Sequence, residues 1–159
     1  MKVRVSCVVA HGDEMALIYR ERDGRAHWSL PGGNVGEEED IQSAMVRELR
    51  EELGLDGITP DLLFLQDMLI HRPDREGLYR KLHIIFCVFV TPDQRRGMKA
   101  VEHDDLLPPG EVRWVPRGQL IALHLYPGVG HALSSLPSLD APVKPTVLPP
   151  LTDETYSWQ

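Results

Sequence analysis

Three glutamates, Glu48, Glu51 and Glu52, fall at i, i+3 and i+4. On a helix that spacing brings their carboxylates to one face. Carboxylates held together repel one another unless a cation lies among them. Hard oxygen donors of this kind suit Mg²⁺ or Mn²⁺, and those ions suit phosphate groups. The residues therefore point to metal-assisted chemistry on a phosphate compound. Any one of them alone reads equally as a solvated surface glutamate. That reading fails for the set, because the three continue an apolar stripe and unpaired charge on an inward face is costly. Arg47 and Arg50 neutralise only part of the charge.

The segment that carries them reads as a helix on separate grounds. No Gly or Pro interrupts Glu38 to Leu53, and good helix formers dominate. Gly54 suits a left-handed residue just past the end. Glu37, Glu38, Glu39 and Asp40 crowd the start, where the helix dipole favours negative charge. With Ile41 at zero on a wheel of about 100° per residue, Ala44, Met45, Glu48, Glu51 and Glu52 lie within about 80° of it. Ser43 and Arg50 point away.

Strands frame this helix. Val3 to Val9 and Met15 to Tyr19 read as a strand pair joined by a turn at His11–Glu14. Glu21 to Ala26 reads as a polar, basic loop, and Trp28 to Leu30 as a short strand ending at a Pro31-Gly32-Gly33 turn. Leu62 to Ile70 is a strand, His71 to Arg80 a charged loop, and Leu82 to Val90 a buried central strand. Thr91 to Gly110 reads as a long polar loop and Val112 to Val115 as a strand. Pro116 suits the first turn of a helix bearing Leu120, Ile121 and Leu123.

Taken together, Gly33, Glu39, Arg47, Glu48, Leu49, Glu51, Glu52, Gly54 and Leu55 fill every specified position of a known pattern. The segment resembles the Nudix box, G-x5-E-x7-R-E-U-x-E-E-x-G-U with U a bulky aliphatic residue. The resemblance implies an α/β fold, the Nudix α/β/α sandwich with a mixed β-sheet packed between helices. It implies a hydrolase that cleaves the pyrophosphate bond of a nucleoside diphosphate linked to a group X, with Mg²⁺ or Mn²⁺ as cofactor. By position in the motif, Glu48, Glu51 and Glu52 are the metal ligands, one of them doubling as base, and the Gly32 carbonyl is a further ligand. Arg47 orients the glutamates, Gly33 shapes the turn, and Glu39 supports the loop or holds a second metal. The family often uses one more acid outside the box; Glu102, Asp104, Asp105 and Glu111 are the candidates. Arg20, Arg22 and Arg25 lie beside the glycine turn and are candidates for gripping phosphate, which arginine does bidentately. Arg72, Arg75, Arg80 and Lys81 form a second basic group, and Trp28, Tyr79 and His83 offer rings for stacking.

Composition bounds the remaining choices. At 159 residues the chain is long enough for one domain with a sizeable core. A net charge of −7 without a basic run argues against nucleic-acid binding. Cys7 and Cys87 sit in apolar runs and read as reduced, buried thiols. No signal peptide or membrane-length apolar run is visible, so the expected location is cytoplasmic. The substrate is expected to be a small nucleotide. Signatures of the NADH, ADP-ribose and dinucleoside polyphosphate subfamilies are missing downstream of the box, which leaves a nucleoside triphosphate or a nucleotide-sugar. Two other classes compete: a non-catalytic nucleotide sensor on a Nudix fold, and a structural or calcium-binding helix. The first usually loses box glutamates, all of which this chain keeps. The second has no need of Gly33, Arg47 and Gly54 together.

Residues 1–136 are expected to form the hydrolase domain, and 137–159 a Pro-rich tail, docked or partly disordered. Five prolines between Pro137 and Pro150 favour extended backbone. Val143, Val147, Leu148, Leu151, Tyr156 and Trp158 are apolar enough to dock, on the domain or across a homodimer.

Overall fold

A computed structural model describes residues 1–100, 110–141 and 144–158. Strand β1 (Lys2–His11) pairs in parallel with β6 (Leu78–Phe89), and β6 pairs antiparallel with β5 (Asp61–His71). These three long strands form the centre of one mixed sheet. β1 gives its first half on the other side to β4 (Gly32–Asn34) and its last residues to β2 (Glu14–Arg22). β2 pairs with β3 (Arg25–Ser29) and with β7 (Glu111–Pro116). β8 (Leu125–Tyr126) lies beside β3, and β9 (Thr146–Val147) and β10 (Leu151–Thr152) lie beside β5.

Alternation along β1 explains the layers. Val5, Cys7 and Val9 face the helix α1 (Ile41–Leu53) and pack with Ala44, Met45 and Leu49. Val8 and Ala10 face the opposite way, where the 3-10 turn Arg117–Ala122 and the short helix α3 (Gly130–Ser134) supply Leu120 and Leu133. The result is the sandwich expected of the box, with the sheet between helical layers. Cys7 and Cys87 are free and fall in different clusters.

Several boundaries differ from the sequence reading. The loop expected over Glu21–Ala26 is a continuous hairpin: Arg22 pairs with Arg25 across Asp23 and Gly24. Both turn residues have positive φ, 53° and 73°, the Asp-Gly signal for a tight two-residue turn. The Pro31-Gly32-Gly33 turn runs straight into β4. β6 starts four residues before Leu82, at Leu78, shortening the charged loop. The loop after β6 begins with a short helix, α2 (Pro92–Gly97), capped by Thr91.

Helix α1 begins at Ile41, not Glu38. Asp40 stays extended, and its carboxylate accepts the Ser43 amide at 2.8 Å. The acids before it therefore belong to the approach rather than the first turn. Ile41, placed at the centre of the inner stripe, is 42% exposed, while Ala44, Met45 and Glu48 of that stripe are buried together with Leu49 and Leu53. The other end is as expected. Gly54 sits at φ 68°, and the Gly54 and Leu55 amides close onto the Arg50 and Leu49 carbonyls. A Cβ at Gly54 would touch nothing, so its cost is conformational only. Gly54→Ala should lose about 1 kcal/mol, read from the denaturant midpoint with an unchanged slope.

Candidate active site

The glycine turn and the acidic helix meet because β4 inserts beside the start of β1. The Cys7 amide donates to the Pro31 carbonyl at 2.9 Å and the Val35 amide to the Val3 carbonyl at 3.0 Å, which pins the strand at both ends. A side chain at Gly32 would meet backbone, and one at Gly33 would have to displace an acid. A Cβ on Gly32 would strike the Val5 carbonyl, and one on Gly33 would strike the Glu48 carboxylate. The two glycines thus let backbone lie directly against the helix acids.

Arg47 gathers those acids. Its Nε and Nη2 donate to the two oxygens of Glu39 at 2.7 and 2.9 Å, a planar fork. Its Nη1 donates to Glu48 at 2.8 Å and to Glu51 at 3.0 Å. Nη2 also reaches the Asn34 carbonyl at 3.2 Å, tying the helix to β4. The guanidinium, together with the Gly36 amide, holds the Glu39 carboxyl down at about 2. Glu48 is buried, whereas Glu51 is partly exposed.

Glu52 turns the other way from this knot. Its Oε2 accepts the Gly32 amide at 2.9 Å, and Arg4 donates to the Gly32 carbonyl at 2.9 Å. Burial pushes the Glu52 carboxyl up to about 7, against the opposing pull of the Gly32 amide and Arg4. The rise comes from burial, and Arg4 and Arg20 act against it by favouring the ionised form.

Glu52 also borders a cavity of about 290 Å³. Arg4, Arg20 and Arg22 line it, with Trp28, Tyr126 and Trp158 among its rings. Arginine beside a carboxylate cluster and flat rings beyond it suit a ligand with anionic and aromatic parts.

The sequence candidates divide accordingly. Glu39, Glu48 and Glu51 meet at Arg47, Glu52 meets the Gly32 amide, Gly33 lies against Glu48, and Arg20, Arg22 and Trp28 border the cavity. Arg25 is exposed at the hairpin tip and does not line it. Glu111 is exposed on β7 and pairs with Arg113 at 3.1 Å. Glu102, Asp104 and Asp105 lie outside the described residues. In the second basic group, Arg72 pairs with Asp74 and Arg80 with Asp67. Tyr79 packs with Met68 and Ile70 under the Arg72 and Arg75 guanidiniums, not in the cavity. His83 is fully buried, and burial pushes its imidazole down to about 3, so it is neutral.

Arg4 was not among the candidates, and neither were His27, His124 and Tyr126. For Arg4 a signal existed. Lys2, Arg4 and Ser6 alternate with Val3, Val5 and Cys7, so one face of an otherwise apolar strand is polar. Tyr126 and His124 gave none, since only β8 pairing with β3 brings them to the site.

The donor set fits a hard divalent cation chemically. Glu48, Glu51, Glu52 and the Gly32 carbonyl offer only oxygen, the donor type such ions prefer. Among the described residues no three acidic, imidazole or thiol side chains are already gathered as a cage. Glu48 and Glu51 give one oxygen to Arg47 and Glu52 one to Gly32, but each carboxylate has further lone pairs to offer.

Comparison with known proteins agrees with this picture. The NUDIX domain family model matches residues 1–136, and the chain belongs to the Nudix family. An uncharacterized Nudix hydrolase of Bacillus subtilis, YvcI, is 27% identical over 128 residues, covering 80% of this chain and 74% of that protein. The nucleoside triphosphatase NudI of Salmonella typhimurium is 32% identical over 93 residues, 54% of this chain and 64% of that one. The crystal structure of the MutT protein of Bacillus halodurans superposes with a TM-score of 0.67 at 19% identity, covering 98% of this chain and 94% of that one. At that identity the likeness concerns the fold. Among the described residues no helix is long and apolar enough to cross a membrane.

Proposed function

We propose that this protein is a divalent-metal-dependent pyrophosphohydrolase acting on a nucleoside diphosphate linked to X, such as a nucleoside triphosphate or a nucleotide-sugar. The observation that carries this reading is Glu52, which belongs to the box and borders the same cavity as Arg4, Arg20 and Arg22. The likeness to a nucleoside triphosphatase supports the triphosphate class.

Glu48, Glu51, Glu52 and the Gly32 carbonyl would hold Mg²⁺ or Mn²⁺, which supplies neutralisation of phosphate oxygens and a more acidic water. The protein supplies the rest. Arg47 fixes the rotamers of Glu48 and Glu51 while Glu39 fixes Arg47, so the acids are placed before substrate arrives. Arg4 holds the Gly32 backbone, and the cavity arginines draw in the phosphates. In the reaction a water oxygen bonds to phosphorus, the bridging P–O bond breaks, and the water proton passes to a carboxylate. A sensor would have no use for this arrangement of preset acids.

The test is release of monophosphate or phosphate from a panel of nucleoside triphosphates and nucleotide-sugars. Turnover should appear with Mg²⁺ or Mn²⁺ and disappear with chelator. Binding of these compounds without turnover under any metal would favour the sensor.

A further inference from the structure

We propose that the C-terminal arm, residues 151–158, is a wall of the substrate cavity, and that Tyr156 and Trp158 hold the base of the nucleotide. The proposal rests on the nucleotide reading above and adds a recognition element from outside the segment that the family model covers, residues 1–136.

The arm is built into the fold. β10 pairs in parallel with β5 through Leu151 and Thr152, opposite Met68 and Leu69. Leu151 is buried in a cluster with Met68, Ile70 and Tyr79. Asp153 accepts the His71 amide at 2.8 Å and contacts the His71 ring at 2.7 Å. The chain then turns sharply: the Thr155 and Tyr156 amides both donate to the Thr152 carbonyl, at 3.0 and 2.9 Å. That turn carries Tyr156 and Trp158 to the cavity.

Their partners there are rings. Tyr156 stacks on His124 with centroids 5.3 Å apart and planes 27° apart. Trp158 meets Tyr126 edge-on at 5.6 Å, and the Arg72 guanidinium lies 4.2 Å over the Trp158 ring. Gly128 makes room, since a Cβ there would come within 2.9 Å of the Tyr156 ring. Leu151 anchors the arm, and Tyr156 and Trp158 pack against the same cluster, but both rings also border the cavity.

Contacts set the polarity of the cavity. Glu52 bonds the Gly32 amide, Arg4 bonds the Gly32 carbonyl, and Arg4 lies 5.1 Å over the Tyr126 ring, which Trp158 then meets. The order from the box is thus carboxylate, guanidinium, ring, ring. A nucleotide has the same order: phosphates toward the acids and arginine, base toward Tyr126, Tyr156 and Trp158. Base–aromatic stacking tolerates every base, because each has a π face. The arm therefore gives affinity for nucleotides over plain polyphosphates more than choice among bases.

The test uses the full chain with Tyr156→Ala and Trp158→Ala, alone and together, and Tyr156→Phe and Trp158→Phe. Two quantities are read: KM and kcat for the best nucleoside triphosphate of the panel, and calorimetric Kd for non-hydrolysable nucleoside triphosphates, with inorganic triphosphate as the baseless probe. The alanine variants should raise KM and Kd for nucleotides about tenfold or more. They should leave kcat and the Kd for inorganic triphosphate near wild type, and the phenylalanine variants should bind almost normally. Unchanged nucleotide affinity in the double alanine variant overturns the proposal. So does equal loss for inorganic triphosphate, which would make the arm a structural brace. If Tyr156→Ala does not fold, Trp158→Ala at the chain end gives the same comparison. Absence of turnover in the wild type would refute the hydrolase reading, while the calorimetric comparison would still decide the role of the arm.

Discussion

Glu52→Gln should lower turnover of a nucleotide substrate by on the order of a hundredfold or more while the fold survives. The amide oxygen of glutamine can still accept the Gly32 amide that Glu52 accepts at 2.9 Å, so the substitution removes charge and little else. Charge is what the site requires of this residue, since a neutral amide is a poor donor to a hard cation. Stability should move the other way. Burial raises the Glu52 carboxyl from its ordinary value near 4.5 to about 7. The folded protein therefore disfavours the ionised form, and the penalty grows as pH rises from the ordinary value through about 7. In chelator, thermal unfolding of Glu52→Gln should match wild type in acid and exceed it increasingly toward neutral pH. Loss of turnover joined to gain of stability marks a residue kept for function. Wild-type turnover in Glu52→Gln at saturating Mg²⁺ would remove Glu52 from the site. Glu51→Gln should lose turnover in the same way, with less effect on stability because Glu51 is more exposed.

Arg47→Lys should lower turnover roughly 10- to 100-fold, with a stability loss of roughly 1 kcal/mol. The guanidinium makes two bonds to Glu39 and one each to Glu48 and Glu51. An ammonium keeps the charge but not the fork, so it cannot bridge three acids at fixed angles. The acids would then lose their preset arrangement, and kcat should fall more than KM rises. The partly exposed position of Arg47 limits what the ion pairs add to stability. A fully active Arg47→Lys enzyme would show that the fork orients nothing.

How much of this was legible in the sequence depended on the range of the interactions. The box is local: the spacing of Glu48, Glu51 and Glu52, the breaker at Gly54 and the turn at Gly33 all act within one helix and its approach. The Arg47–Glu51 pair follows from helix geometry, since the two are four residues apart. The dipole favours acids in the first turn, but the Asp40 side chain accepts the Ser43 amide and so sets the helix start after the acids. Polarity misleads over Glu21–Ala26, because a hairpin extended beyond the core is polar on both faces; Asp23-Gly24 is the better signal. The cavity was least legible. Arg4 reaches Gly32 across 28 residues, and Lys81 reaches Tyr126 across 45, and no local periodicity encodes such pairings. Trp28 was visible as a ring next to the glycine turn. Tyr126 and His124 join it at the cavity through the pairing of β8 with β3, a contact that no local pattern encodes.

Titration of the protein with Mn²⁺, followed by electron paramagnetic resonance of the free ion, tests whether the box acids hold a divalent metal without requiring a known substrate. The wild type should remove Mn²⁺ from solution in a saturable way that Mg²⁺ reverses. The Glu51→Gln/Glu52→Gln double variant should lose that binding while its circular dichroism stays native. Equal Mn²⁺ uptake by the double variant and the wild type would contradict the account.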